Sequence, residues 1–113
     1  METITYPDFE KVELRVGKVV DVEDFPEAKK PAYKLTIDFG SEIGTKRSSA
    51  QVTHLYTKEQ LMNRLVVAVV NFPPKQIGPF ISECLVCGAP DKDGHVALLG
   101  FDRPDIPLGG KIF

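Results

Sequence analysis

From Val12 to Val22 the chain alternates, setting Val12, Leu14 and Val16 against Glu13, Arg15 and Gly17 before it closes on Val19, Val20 and Val22. A period of two is that of a half-buried β-strand, and Gly17 inside it predicts a bulge or sharp bend of the kind small barrels use to turn a corner. The alternation returns after a loop bracketed by Pro26 and Pro31, where Tyr33, Leu35, Ile37 and Phe39 oppose Lys34, Thr36 and Asp38. Gly40 and Gly44 bound a turn, and Lys46 to Val52 is predicted to return antiparallel. Leu65 to Val70, Cys84 to Gly88 and Val96 to Leu99 read as further strands, with a last short pair at Ile112-Phe113 after Gly109-Gly110.

Only one helical signal interrupts this series. Thr57-Lys-Glu-Gln60 before Leu61-Met62 has the form of a capping box, in which the Thr57 hydroxyl and the Gln60 side chain satisfy exposed backbone donors of a short helix. Several short strands with Gly/Pro punctuation and one helical turn after the third favour a small closed or partly open barrel over a sandwich. The 113 residues fit one domain, residues 1–113, able to bury roughly two thirds of the surface of its unfolded chain. The longest unbroken apolar run, Leu65 to Val70, falls far short of the roughly 20 residues that span a bilayer, so no direct membrane insertion is expected. The N-terminal Met-Glu-Thr-Ile-Thr-Tyr-Pro-Asp has neither the basic nor the apolar part of a signal peptide, and a cytoplasmic location is the expectation.

The net charge of -2 is unevenly spread. Residues 1–28 hold eight acidic groups against three basic ones, residues 29–75 eight basic against three acidic, and the remainder five acidic against three basic. A locally basic surface is therefore compatible with an acidic whole, because local field steers a polyanion. The plainer alternative is that these lysines solvate loops and strand edges.

Chemistry is harder to find than binding. Cys84 and Cys87 have the spacing of a redox or zinc half-site, yet they lie in a predicted strand, where side chains three apart point to opposite faces. With no second cysteine pair, a tetrahedral site would have to recruit His54 or His95 from distant loops, so no metal is expected. Neither histidine has a nucleophile motif beside it, and there is no Gly-rich phosphate loop; a non-enzymatic protein without cofactor is the reading.

Asn71-Phe-Pro-Pro-Lys-Gln-Ile-Gly-Pro-Phe80 concentrates backbone-restricting and polar residues beyond what a connection needs. Pro73-Pro74 stiffen the segment from which Lys75 and Gln76 project, limiting the entropy lost when they meet a ligand. Asn71, Phe72, Tyr33, Tyr56 and Phe80 are candidates for amide contacts or aromatic platforms, although Phe72 and Phe80 can equally cap the core or enter a subunit interface. Strand phase places Arg47 with Ser49 on one face and Lys46 with Ser48 on the other, and one pair should face solvent.

The ordered motifs Leu14-Arg-Val-Gly-Lys-Val19, Pro26 with Ala28, Ile37-Asp-Phe-Gly40, Ser48-Ser-Ala50, Leu61, Asn71-Phe-Pro-Pro-Lys75, Gly78, and Ser82-Glu83 with Leu85 resemble the tRNA-binding domain family over essentially the whole chain. Within it, Asn71 to Phe80 followed by Ser82-Glu83 is most similar to its stand-alone, export-related chaperone members. The resemblance implies an all-β, five-stranded OB-fold (oligonucleotide/oligosaccharide-binding) barrel with one short helix after the third strand and extra short strands at the termini. It also implies a cytoplasmic homodimer that binds unfolded preproteins or peptides and engages SecA and SecYEG, with tRNA binding as a family trait. Arg47, Ser48, Ser49, Asn71, Lys75 and Ser82 match the family motif and are carried over as ligand-facing.

Three departures bear on the ligand. Phe25-Pro26 stands where many members have a histidine before the proline, Ala50 stands where many have a glycine, and Cys84-Leu85 replaces a usual Gly-Met. Phe25 favours peptide over phosphate, whereas Lys29-Lys30 pull the other way. The leading expectation is an ATP-independent chaperone with apolar grooves lined by Phe25, Phe72, Ile77 and Phe80, where Lys75 and Asn71 supply polar selection. The alternative is tRNA binding through Lys29, Lys30, Lys46, Arg47, Ser48, Ser49, Asn71, Lys75 and Ser82. Apolar Ile4, Tyr6, Phe9, Ile112 and Phe113 near the termini give dimerisation a physical motive, since pairing can bury both ends.

Overall fold

The alternating valines of the first strand pair with two different partners, and this decides the architecture. A computed structural model describes residues 1–113. Strand β1 (Leu14–Asp24) runs antiparallel to β4 (Leu65–Val69) along its first half and to β2 (Tyr33–Asp38) along its second. With β3 (Thr45–Ala50) beyond β2 and β7 (Leu85–Val86) beyond β4, the order is β3-β2-β1-β4-β7. The sheet curls into a nearly closed five-stranded antiparallel barrel, in agreement with the predicted fold. Two small ladders flank it, β5 (Lys75–Ile77) with β6 (Phe80–Ser82) and β8 (Gly88–Pro90) with β9 (Val96–Leu98).

The bend in β1 is not where the glycine predicts it. The register shift lies between Val19 and Asp21, so Val20 is the extra residue. Gly17 serves packing instead: a Cβ built there would stand 2.5 Å from Ile37 Cγ2 and 2.7 Å from the Phe39 ring. Those side chains, with Val19, Leu35, Val52, Leu61, Val66, Ala68 and Cys84, form the barrel core. Each large apolar group buried there contributes about 1.5–3 kcal/mol.

Two helices are present, one more than expected. Helix α2 (Lys58–Leu61) carries the predicted capping box, with the Gln60 N–H donating to Thr57 Oγ1 at 3.2 Å and the Thr57 N–H to Gln60 Oε1 at 2.9 Å. Helix α1 (Tyr6–Glu10) precedes the barrel with the same device built from Thr5 and Asp8 and with Pro7 in its first turn. The Thr-x-x-Asp spacing was the signal for it. The expected terminal strands are corrected accordingly: the N-terminus is helical, and the C-terminus makes a single bridge, Lys111 to Arg15, with the Ile112 N–H donating to Leu14 O. Likewise the predicted 84–88 strand breaks at Cys87 into β7 and β8.

The barrel closes between β3 and residues 82–85, largely through side chains. The Glu83 N–H donates to Arg47 O at 2.7 Å, and the Arg47 N–H donates to Glu83 Oε1 at 3.0 Å. The Ser49 N–H donates to Ser82 Oγ at 3.2 Å, and Ser48 Oγ donates to Cys84 O at 3.0 Å.

Cys84 sits at this seam with its side chain in the core, whereas Cys87 is half-buried, and both are free thiols. Burial pushes the Cys84 thiol up to about 12 and raises Cys87 as well. Neither is a reactive thiolate near neutral pH.

Adding a methyl at position 17 therefore overpacks the core, and Gly17→Ala should cost about 1–3 kcal/mol in denaturant unfolding. The double change Gly17→Ala with Phe39→Leu should cost less than the sum of the single changes; strict additivity would refute the close contact. Because the folded state keeps Cys84 protonated above the ordinary thiol range of about 8.5, the unfolded chain binds fewer protons there, and stability must fall as pH rises. Cys84→Ala should flatten that fall above about pH 8.5, and an unchanged slope would show that Cys84 ionises alike in both states.

Candidate functional site

Pro73 and Pro74 lead directly into β5, and Gly78, at φ 58°, turns the hairpin back into β6. The register pairs Lys75 with Ser82, Gln76 with Ile81 and Ile77 with Phe80. Lys75, Ile77, Phe80 and Ser82 consequently share one face, and Gln76 and Ile81 the other. At the base of the hairpin is a groove of about 370 Å³ lined by Phe72, Pro73, Lys75, Ser82, Glu83 and Leu85 and reaching Cys84. Phe72 is 54% exposed and Leu85 52%, so two large apolar side chains stand open at its walls. Strand β5 has β6 as its sole ladder partner, which leaves its outer edge of backbone donors and acceptors open.

The predicted ligand-facing residues divide in three. Phe72, Lys75 and Ser82 meet at the groove, and Ile77 lies further along the same hairpin face. A second set is buried or engaged in contacts within the fold and does not line an open surface. Phe25 and Phe80 are buried against each other and Ala32, with ring centroids 5.4 Å apart at 58°, where the β1–β2 loop and the hairpin close on each other with Ala28 and Ile77 alongside. Ser48 is 1% exposed, its hydroxyl held by the seam. Asn71 is exposed but engaged, its Oδ1 accepting from the Glu13 N–H at 3.1 Å and its Nδ2 donating to Lys11 O at 2.8 Å. The tyrosines read as platforms are likewise internal ties: Tyr33 Oη donates to Tyr56 O, and Tyr56 Oη accepts from the Leu98 N–H, each at 2.9 Å.

The third set is basic and dispersed. Lys29 and Lys30 are exposed on the loop between β1 and β2, and Lys30 borders a small hollow with His54 and His95. Arg47 and Ser49 take the outward phase of β3, while Lys46 shares the inward phase of Ser48 at the strand's end. Arg47 lies 4.7 Å from the centroid of the Phe80 ring and pairs with Glu23 at 3.1 Å. Lys34, on the face of β2 opposite Leu35 and Ile37, lies 5.1 Å from the Phe25 centroid. Lys58 pairs with Asp24 at 3.0 Å, and Arg64 lies at the far end of β4 from Lys75. Asp21, Glu23 and Asp38 accompany Lys34 and Arg47 on the outward phase of β1, β2 and β3, so this face carries mixed charge.

The histidines meet each other: His54 and His95 stack with centroids 3.5 Å apart and planes 6° from parallel. Asp91, beside His95, has its carboxyl held below the ordinary range by the His95 and Asp93 backbone N–H groups. Asp91, Asp93 and His95 present ligating atoms within 4.8 Å of one another, and neither cysteine belongs to this cluster. No helix is long and apolar enough to cross a membrane.

The family model described as "Putative tRNA binding domain" matches residues 14–111. Among solved structures, a CsaA chaperone protein from Picrophilus torridus is 56% identical with a TM-score of 0.91, over 98% of this chain and 100% of that one. A chaperone CsaA from Bacillus anthracis is 46% identical with a TM-score of 0.91, over 99% and 100% respectively. A methionine–tRNA ligase from Thermococcus onnurineus is 38% identical over 99% of this chain, which spans only 15% of the length of that enzyme. By its fold and by the match over nearly all its length, the chain belongs to the tRNA-binding domain family.

Proposed function

We propose that this protein is an ATP-independent chaperone that binds extended, apolar stretches of unfolded preproteins in the cytoplasm. The observation that carries the reading is the groove walled by the exposed Phe72 and Leu85 beside the open edge of β5. An extended chain can add to that edge through its backbone while an alternate apolar side chain enters the groove, so affinity comes from main-chain hydrogen bonds and selection from the pocket. Lys75 at the rim favours segments carrying an acidic or amide group near the apolar one. The likeness to two CsaA chaperone proteins supports this reading, and engagement of SecA and SecYEG belongs to it.

A second reading is tRNA binding, supported by the family itself and by the relatedness to methionine–tRNA ligases. It relies on exposed Lys29, Lys30 and Lys75. Mixed charge on the outward face of β1–β3 and the internal pairing of Arg47 and Lys58 weigh against a continuous polyanion track.

Assembly as a homodimer is part of the proposal. A second groove of about 370 Å³ is bordered by Val16, Phe101, Ile106, Ile112 and Phe113, and Phe113 is 98% exposed. Ile4 and Tyr6 are exposed as well. A second copy that covers these groups removes apolar surface from water at about 25 cal/mol per Å².

Equilibrium binding of one unfolded preprotein peptide and of bulk tRNA, each at two salt concentrations, separates the two ligands. The expected outcome is peptide binding with little salt dependence, weakened at least tenfold by Phe72→Ala with Leu85→Ala. Absence of peptide binding, together with failure of a stoichiometric excess to slow aggregation of a denatured client, overturns the chaperone reading. Steep salt dependence for tRNA, abolished by charge reversal at Lys29, Lys30 and Lys75, establishes the second reading instead. Sedimentation at micromolar concentration should give a dimer that Phe113→Asp dissociates; a monomer for the unaltered chain rejects the assembly.

A further inference from the structure

A cavity of about 660 Å³ lies at the opposite end of β4 from the Phe72 groove. Its lining includes Lys18, Arg64 and Arg103 against one carboxylate, Asp102, with Phe101 and Asn63 beside them. This is a positive hollow on a chain whose net charge is -2. Neither Lys18 nor Arg64 forms an ion pair, and Arg103 reaches only the exposed Asp105, at 3.4 Å.

Arg64 is held in place more firmly than a surface arginine needs to be. Asn63 has φ 65°, the left-handed conformation that asparagine tolerates better than most residues, and its N–H donates to Val19 O at 2.8 Å. The Val19 N–H donates to Arg64 O at 2.9 Å, and the Arg64 N–H donates to Leu61 O at 3.1 Å. The guanidinium carbon stands 5.1 Å from the centroid of the Tyr56 ring, and a Cβ at Gly100 would lie 3.8 Å from an Arg64 Nη. The Nε–H is nevertheless buried with no acceptor, although buried donors are paired in the great majority of cases. A preorganised guanidinium beside a second cation, with Asp102 as the one carboxylate in the lining, is the chemistry of an oxyanion site, and the arginine fork matches phosphate bidentately.

We propose that this cavity binds a nucleotide phosphate, with Arg64 and Lys18 on the phosphate, Arg103 at the rim and Phe101 against the rest of the nucleotide. Three cations suit a phosphate dianion better than a single carboxylate. The volume falls within the range of small-ligand pockets and is far more than a bare anion fills. The nucleotide is either free or the 5′-phosphorylated end of an RNA, and both present the same phosphomonoester. The site is independent of the peptide groove, so the two proposals stand or fall separately.

The test is a titration of the unaltered full chain followed by amide NMR, using 5′-adenosine monophosphate, adenosine, acetate, and a short oligoribonucleotide with and without a 5′-phosphate. Saturable shifts at Asn63, Arg64 and Gly100–Arg103 with the monophosphate are expected, at least tenfold tighter than with adenosine or acetate. Arg64→Gln should weaken binding at least tenfold, Arg64→Lys should restore only part of it, and Lys92→Gln, at an exposed lysine outside the cavity, should leave it unchanged. Should Arg64→Gln fail to fold, Lys18→Gln and Arg103→Gln carry the same expectation. Equal binding of both oligonucleotides, with none of the monophosphate, overturns the proposal. So do shifts that do not saturate, that acetate reproduces, or that survive these substitutions. Given monophosphate binding, response to the phosphorylated oligonucleotide identifies RNA as a source, and its lack identifies the free nucleotide.

Discussion

Closure of the barrel depends on satisfying the second edge of β3 without a regular strand to pair with it. Strand β2 takes one edge, and the other meets residues 82–85, which contribute one backbone N–H, a carboxylate, a hydroxyl and a carbonyl to do the work of a ladder. Open strand edges recruit other chains, so this seam is as much protection as support. It also fixes the position of Leu85 and the end of β6, and hence the width of the groove beside them. Ser48 and Ser82, polar residues in a segment that reads as ligand-facing, are thus partly or wholly engaged in holding the barrel shut.

That double use explains where the sequence was legible and where it was not. Alternation and capping boxes are local, and Leu35, Ile37 and the Thr57–Gln60 pair announce their elements without knowledge of anything distant. Strand phase likewise separated Arg47 and Ser49 from Lys46 and Ser48. Which phase faced inward depended on contacts across 36 residues of sequence, between Ser48 and Cys84. Phe25 and Phe80 were legible as apolar residues near a rim, but their mutual burial required the β1–β2 loop and the hairpin to fold over each other. Gly17 was read as a bend because a glycine in a strand usually means one; the close approach of Phe39 to the backbone there is a three-dimensional fact.

Charge shows the same limit. The excess of basic residues between 29 and 75 is real along the chain, yet folding distributes it among a loop, two ring faces, an ion pair with Asp24 and the two ends of β4. Lys34 and Arg47 lie over aromatic rings, where the electron-rich face attracts a cation and desolvation strengthens the attraction. They contribute to packing of the Phe25–Phe80 cluster as well as to surface field. Arg64 also lies over a ring, that of Tyr56, but unlike Arg47 it has no carboxylate partner, a difference visible only with the whole surroundings in place.

Asn71 has a consequence for communication within the molecule. Its amide fastens the backbone at Lys11 and Glu13 to the start of the proline loop, and the Glu13 carboxylate in turn holds Arg15 and Lys111. The loop bearing Phe72, the segment after α1 and the C-terminal bridge are therefore joined by a short chain of polar contacts. A partner that displaced the loop would have to break or carry along those contacts, so events at the groove would be felt at both ends of the polypeptide. The termini thereby become natural reporters of occupancy, and any assembly through them would be thermodynamically linked to the state of the loop.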